Sequence, residues 1–158
     1  MGLFGFGKKE WDEEKSDSNK ARMKELFSRT VENSESYTVV YGFGLNVKNS
    51  NYIVARKVTY QYTSLIIGYR ESDMSVVLLQ TTPELEGCSE PEVFKRDEIK
   101  KAKVTMGQYT IYHQGGLMAG YTQFSVIEDN NEDYLVYCHQ KEETDKFQQF
   151  WKKYCAKK

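Results

Sequence analysis

From Tyr37 to His139 the apolar residues recur largely at every second position, the period of β-strands rather than of helices. The cleanest run comes first. Tyr37, Val39, Tyr41, Phe43, Leu45 and Val47 alternate with Thr38, Gly42, Gly44, Asn46 and Lys48, which reads as a strand with one wet face. Gly42 and Gly44 on that second face allow a sharp bend or the close approach of another backbone. After the turn Asn49–Asn51, the apolar set sits on even positions (Val54, Val58, Tyr60, Tyr62) and passes at Ser64 to odd ones (Leu65, Ile67, Tyr69). Such a change of parity predicts a bulge, or a corner between sheets. Ser75–Thr82 is apolar on both faces at its centre, and Pro83–Glu92 is an acidic loop. Val93–Lys101 fits either a short helix or a strand. Ala102–Met106 and Tyr109–Ile111 change parity across Gly107, Gly115-Gly116 reads as a hairpin turn, and Tyr121–Ile127 and Tyr134–His139 are further strands. The pattern therefore predicts about seven strands, antiparallel because the connections are short.

Two segments carry helical spacing instead. Phe147, Phe150, Trp151 and Tyr154 lie three and four residues apart, one aromatic stripe on a helix spanning about 142–155. Met23, Leu26, Phe27 and Val31 mark a second helix over about 17–32, with Ser16, Asp17 or Ser18 as its cap. Residues 1–16 are expected to be a flexible tail, and 17–156 a single domain. The expected fold is mainly β (α+β): curled antiparallel sheets or a small barrel, with the aromatic helix closing its open mouth and an extra helix before the first strand.

Composition narrows the partners. Twenty-two Lys and Arg oppose twenty-three Asp and Glu, so the net charge of −1 argues against nucleic acid as a partner and leaves only local basic patches. Three cysteines without metal-ligand or CxxC spacing fit a reducing, cytoplasmic setting. No apolar run approaches the roughly 18 residues of a membrane span, and the opening residues lack the apolar core of a secretory signal.

The layout of antiparallel strands followed by a C-terminal helix with Trp151, set in Phe147-Gln-Gln-Phe150-Trp151, resembles a pleckstrin-homology-like domain, particularly its bacterial and GRAM-type versions. The resemblance covers roughly residues 37–155 and implies a binding module rather than an enzyme. Lipid-binding members carry a lysine followed by Lys/Arg-x-Arg near the first hairpin. Here Lys48 is followed by Arg56-Lys57, so no lipid-specific pocket carries over.

Catalytic chemistry is hard to assemble. His113 and His139 lie in strand-like runs, and neighbouring Cys138 and His139 point to opposite faces of a strand. Asp129-Asn-Asn131-Glu-Asp133 imitates the start of a calcium loop but has Tyr134 and Gln140 where glycine and glutamate belong. No catalytic residue, metal or cofactor is expected. The candidate interaction surface consists of Lys48, Arg56, Lys57, Lys95, Arg96, Lys100 and Lys101, facing a protein or an anionic membrane surface. Leu3, Phe4 and Phe6, followed by Lys8 and Lys9, form a candidate membrane anchor that would make the protein membrane-peripheral. The resulting expectation is a non-enzymatic adaptor. The alternative is a carrier with a tyrosine-lined barrel cavity. The oligomeric state is left open.

Overall fold

The computed structural model describes residues 11–45, 62–114 and 120–156. In chain order these form α1 (Glu13–Thr30), β1 (Thr38–Leu45), β2 (Tyr62–Arg70), β3 (Ser75–Thr81), β4 (Glu92–Lys95), β5 (Ile99–Thr105), β6 (Gln108–His113), β7 (Tyr121–Ser125), β8 (Asp129–Asn130), β9 (Cys138–His139) and α2 (Lys141–Ala156). The first seven strands make one antiparallel sheet in the order β4-β3-β2-β1-β7-β6-β5, while β8 and β9 pair separately. The fold is thus mainly β with one helix at each end of the chain. The sheet is open: β4 and β5 lie at its two edges and do not pair with each other.

Instead, α2 bridges the two edges. Its aromatic stripe packs into a core with Val40, Leu65, Ile67, Tyr109, Ile111 and Phe124. The Trp151 indole N–H donates to the carbonyl of Lys103 on β5 (3.3 Å), and the Tyr154 hydroxyl donates to the carbonyl of Phe94 on β4 (2.8 Å). Trp151 meets Tyr109 edge-on at 5.1 Å, a favoured aromatic geometry. Each such ring contributes on the order of 1.5–3 kcal/mol by burial. The helix starts where the Gln140 carbonyl accepts the Thr144 N–H (2.9 Å), with Glu142 and Glu143 in its first turn and Lys153 in its last, as its dipole favours.

Beyond the exposed Thr38, both faces of β1 are covered from Val39 to Gly44. Tyr37 and the odd positions of β1 (Val39, Tyr41, Phe43) belong to a second core under α1, with Met23, Leu26, Phe27 and Ile66. Even positions face α2. Gly42 is there for space rather than for solvent, since a Cβ would come within 2.8 Å of the Ser125 carbonyl of β7. The same double covering accounts for the parity change at Ser64. The register runs unbroken from Thr38↔Tyr69 to Leu45↔Tyr62, without a bulge. Ile66 and Gly68 simply serve α1 while Leu65, Ile67 and Tyr69 serve α2. Gly68 leaves room for the Phe27 ring, which any Cβ would overlap. The one register shift among the described strands lies in β5, between Ile99 and Lys101.

Other expectations need adjustment. The first helix starts earlier: Asp12 is its cap, accepting the Lys15 N–H (3.0 Å), and its own N–H donates to the Tyr137 hydroxyl (2.8 Å). Trp11 rests against Tyr137 and His139, and Ser16 is buried, accepting the His139 N–H (2.9 Å). Residues 11–16 therefore belong to the folded unit. Val93–Lys101 is neither one helix nor one strand, but β4, a single 3-10 turn at Arg96–Glu98, and the start of β5. The parity change at Gly107 is a two-residue hairpin turn, with Met106 (φ 49°) and Gly107 (φ 81°) both left-handed. Tyr134–His139 contributes only the two residues of β9, because Leu135 and Val136 turn inward under α1. The hairpin at Gly115-Gly116 and the run 46–61 lie outside the described residues.

Replacing Trp151 with alanine should remove about 3–5 kcal/mol of stability. An unchanged denaturation midpoint would contradict the bridging role of α2. Gly68→Ala should cost about 1–3 kcal/mol through overpacking, and Phe27→Leu in the same chain should recover part of that loss. A double-mutant cycle showing strict additivity would argue that the two residues do not meet.

Candidate functional site

The residues named by the sequence fall into three groups. Leu3, Phe4, Phe6, Lys48, Arg56 and Lys57 lie outside the described residues. Arg96 does not belong to an exposed surface at all. Its relative exposure is only 9%, and its guanidinium Nε donates to the carbonyl of Tyr154 (2.7 Å), one of the last carbonyls of α2 that lack an intrahelical partner. It therefore acts as an interior cap joining the β4–β5 corner to the helix. Lys95, Lys100 and Lys101 are exposed, Lys95 on the outer strand β4 and the other two on β5.

The geometry around β5 extends this basic group in a way that charge counting along the chain did not reveal. Ala102, Tyr109, Ile111 and Phe124 point toward α2, so by the period of two Lys101, Lys103, Tyr112, Tyr121 and Gln123 point the other way. Pairing aligns them in rows: Lys101 beside Tyr112, Tyr112 beside Tyr121, and Lys103 beside Thr110. The ammonium groups of Lys101 and Lys103 sit 5.3 and 5.7 Å from the Tyr112 ring centre, within cation–π range. Tyr112 and Tyr121 are in contact at 5.9 Å, and Tyr121 is 61% exposed. The shift in pairing at Ile99/Lys101 leaves Lys100 as the extra residue of a bulge, aimed outward beside them.

Two features set this face apart. Strands β5, β6 and β7 contain no aspartate or glutamate. Among the described residues, none of Lys100, Lys101 and Lys103 pairs with a carboxylate, whereas Lys20, Lys141 and Lys153 do. Neither helix covers the face, since α1 packs over β1–β3 and α2 on the opposite side. A protein with almost no net charge thus carries one locally cationic, aromatic sheet surface. The sequence signal was there in the lysines of Lys100–Lys103. Tyr112 and Tyr121 entered only once pairing placed them alongside.

The groups weighed for catalysis have other occupations. His113 bonds the Thr122 hydroxyl (2.8 Å) and leans on Phe94. His139 lies between Glu13 and Asp129 and against Trp11. Cys138 is fully buried, and burial pushes its thiol up to about 12, so at neutral pH it is neither a nucleophile nor a metal-binding thiolate. Asn130 of β8 is buried, and its amide nitrogen donates to the carbonyls of Ile127 and Cys138, tying β8 to β9 and to the chain that leaves β7.

In thiol labelling of the native protein, Cys138 should stay unmodified at neutral and mildly alkaline pH while Cys88 reacts first. The Cys138 thiolate fraction rises only as pH approaches about 12. Labelling of Cys138 at the rate of Cys88 under native conditions would contradict this burial. No family model, curated protein or solved structure matches this chain, so a reading of its function rests on the chemistry of its own residues.

Proposed function

We propose that this protein is a non-enzymatic, pleckstrin-homology-like binding module that docks on an anionic surface through the outer face of β5–β7. The observation that carries the reading is the carboxylate-free, helix-free sheet face on which Lys101 and Lys103 flank Tyr112, with Lys100 exposed on the same strand and none of the three in an ion pair among the described residues. Exposed lysines add about 1 kcal/mol each next to an anionic membrane, and tyrosine suits the interfacial zone. Seven antiparallel strands followed by a helix with a buried tryptophan support the family likeness. No helix among the described residues is long and apolar enough to cross a membrane, so attachment through this face would be peripheral. The rival carrier reading would need a cavity where Tyr69, Tyr109, Phe147, Trp151 and Tyr154 instead fill the space in ring-to-ring contact.

The test is co-sedimentation with anionic and neutral vesicles. The comparison uses the full chain, a chain lacking residues 1–10, and the variant Lys101→Glu with Lys103→Glu. Deletion must stop before Trp11, because Asp12 and Ser16 hold α1 in place. Anionic-vesicle binding that survives the deletion and falls at least about tenfold in the charge-reversed variant is the expected result. Binding lost with residues 1–10 and indifferent to Lys101 and Lys103 would move the docking site to the anchor Leu3, Phe4 and Phe6. Absence of vesicle binding would leave an acidic protein surface as the partner.

A further inference from the structure

Strand β1 has a second, unrelated opening. Its side away from β2 should be occupied by β7, yet among the described residues β7 pairs with it only at Phe43↔Ser125. At the next position the ladder is wedged apart by the Gln140 side chain. Its amide oxygen accepts the Tyr41 N–H (3.0 Å), and its amide nitrogen donates to the carbonyls of Tyr41 and Ile127 (2.9 Å each). Tyr41 therefore directs both backbone groups away from β2. By the alternation of an antiparallel ladder, Val39 directs its own N–H and C=O the same way. Gln140 makes no hydrogen bond there, and among the described residues no strand pairs with that side of Val39. This strand edge opens into a groove of about 520 Å³ between α1 and α2.

The groove is built for a strand-like occupant. Met23 and Phe27 of α1 supply apolar wall beside the half-buried Val39, while the backbone of Tyr37–Tyr41 runs along it. Its charges are asymmetric. Lys20 and Glu143 neutralise each other across the helices at 3.0 Å. Lys24 on α1 and Lys146 on α2 are exposed and form no salt bridge among the described residues, Lys24 lying close enough to Glu143 to share its charge with Lys20, and Glu35 is exposed at the mouth. A strand edge without a partner among the described residues, with Lys24 on one wall, Lys146 on the other and three lysines against two glutamates in the lining, fits an extended chain whose side chains include carboxylates.

We propose that this groove binds an extended acidic segment of a partner protein by strand addition. The segment's backbone pairs with the N–H and C=O of Val39, continuing the ladder that Gln140 imitates at Tyr41, and its carboxylates meet Lys24 and Lys146. The site is separate from the β5–β7 face and needs neither its lysines nor a membrane.

The experiment follows backbone amide resonances of the full chain during titration with a short capped peptide alternating valine and glutamate. Comparison peptides are its valine–lysine counterpart and a version N-methylated along one edge, which keeps the charge but cannot pair. The acidic peptide should shift the amides of Tyr37–Val40 and slow hydrogen exchange at Val39, and N-methylation should weaken it by about tenfold. In the variant Lys24→Glu with Lys146→Glu, the preference should reverse toward the lysine peptide. The proposal is overturned if millimolar acidic peptide leaves Val39 unmoved, if the N-methylated peptide binds as tightly, or if charge reversal leaves the order of the peptides unchanged.

Discussion

Because β1 is shared by both halves of the sheet, the architecture depends on how its backbone is satisfied on the side away from β2. Simple continuation of β7 would zip the two halves into a flat ladder. Instead the Gln140 amide enters between Tyr41 and Ile127 and makes three hydrogen bonds there. Buried as it is, that amide is stable only because its oxygen and nitrogen are both engaged. Gln140 is also the residue whose carbonyl starts α2. One side chain thus fixes where β1 and β7 diverge and where the closing helix begins, and the splay it enforces opens the interior that the aromatic stripe fills.

The rest follows from covering an open sheet on both sides. On the inner side, α2 reaches β5 through Trp151 and β4 through Tyr154, with Arg96 joining the β4–β5 corner to the helix end. Ring packing and three hydrogen bonds substitute for the strand pairing that would close a barrel. On the outer side α1 covers only β1–β3, with Gly68 receiving Phe27. The helix has 18 residues, about 27 Å at 1.5 Å per residue, too short to span seven strands as well. The outer face of β5–β7 is the remainder, and its content is lysine, tyrosine and uncharged polar side chains.

Most of the architecture was legible because its signals are local. The period-two runs gave the strands Thr38–Leu45 and Tyr62–Arg70, and the steps of three and four from Phe147 to Tyr154 gave α2 and its buried face. The misreadings share one cause. Alternation shows that a strand has two kinds of face, but not that a helix far away in sequence will cover the second. Hence the supposed wet face of β1, and the supposed bulge at Ser64 where the register is continuous. The early start of α1 was hidden likewise, since Trp11, Asp12 and Ser16 acquire their roles only from Tyr137 and His139, more than a hundred residues on.

For the candidate sites the division is sharper. The sequence by itself determined the strand content, the aromatic helix, the near-neutral charge and the lysine run at Lys100–Lys103, because these depend on neighbours along the chain. Only the tertiary structure decided that Arg96 is an interior cap, that Tyr112 and Tyr121 stand beside those lysines, and that Gln140 takes the place of a strand beside Tyr41. Each of those facts is a contact between residues on different elements. A side chain's charge is written in its own letter, but whether that charge is buried, paired or free is set by what folds against it.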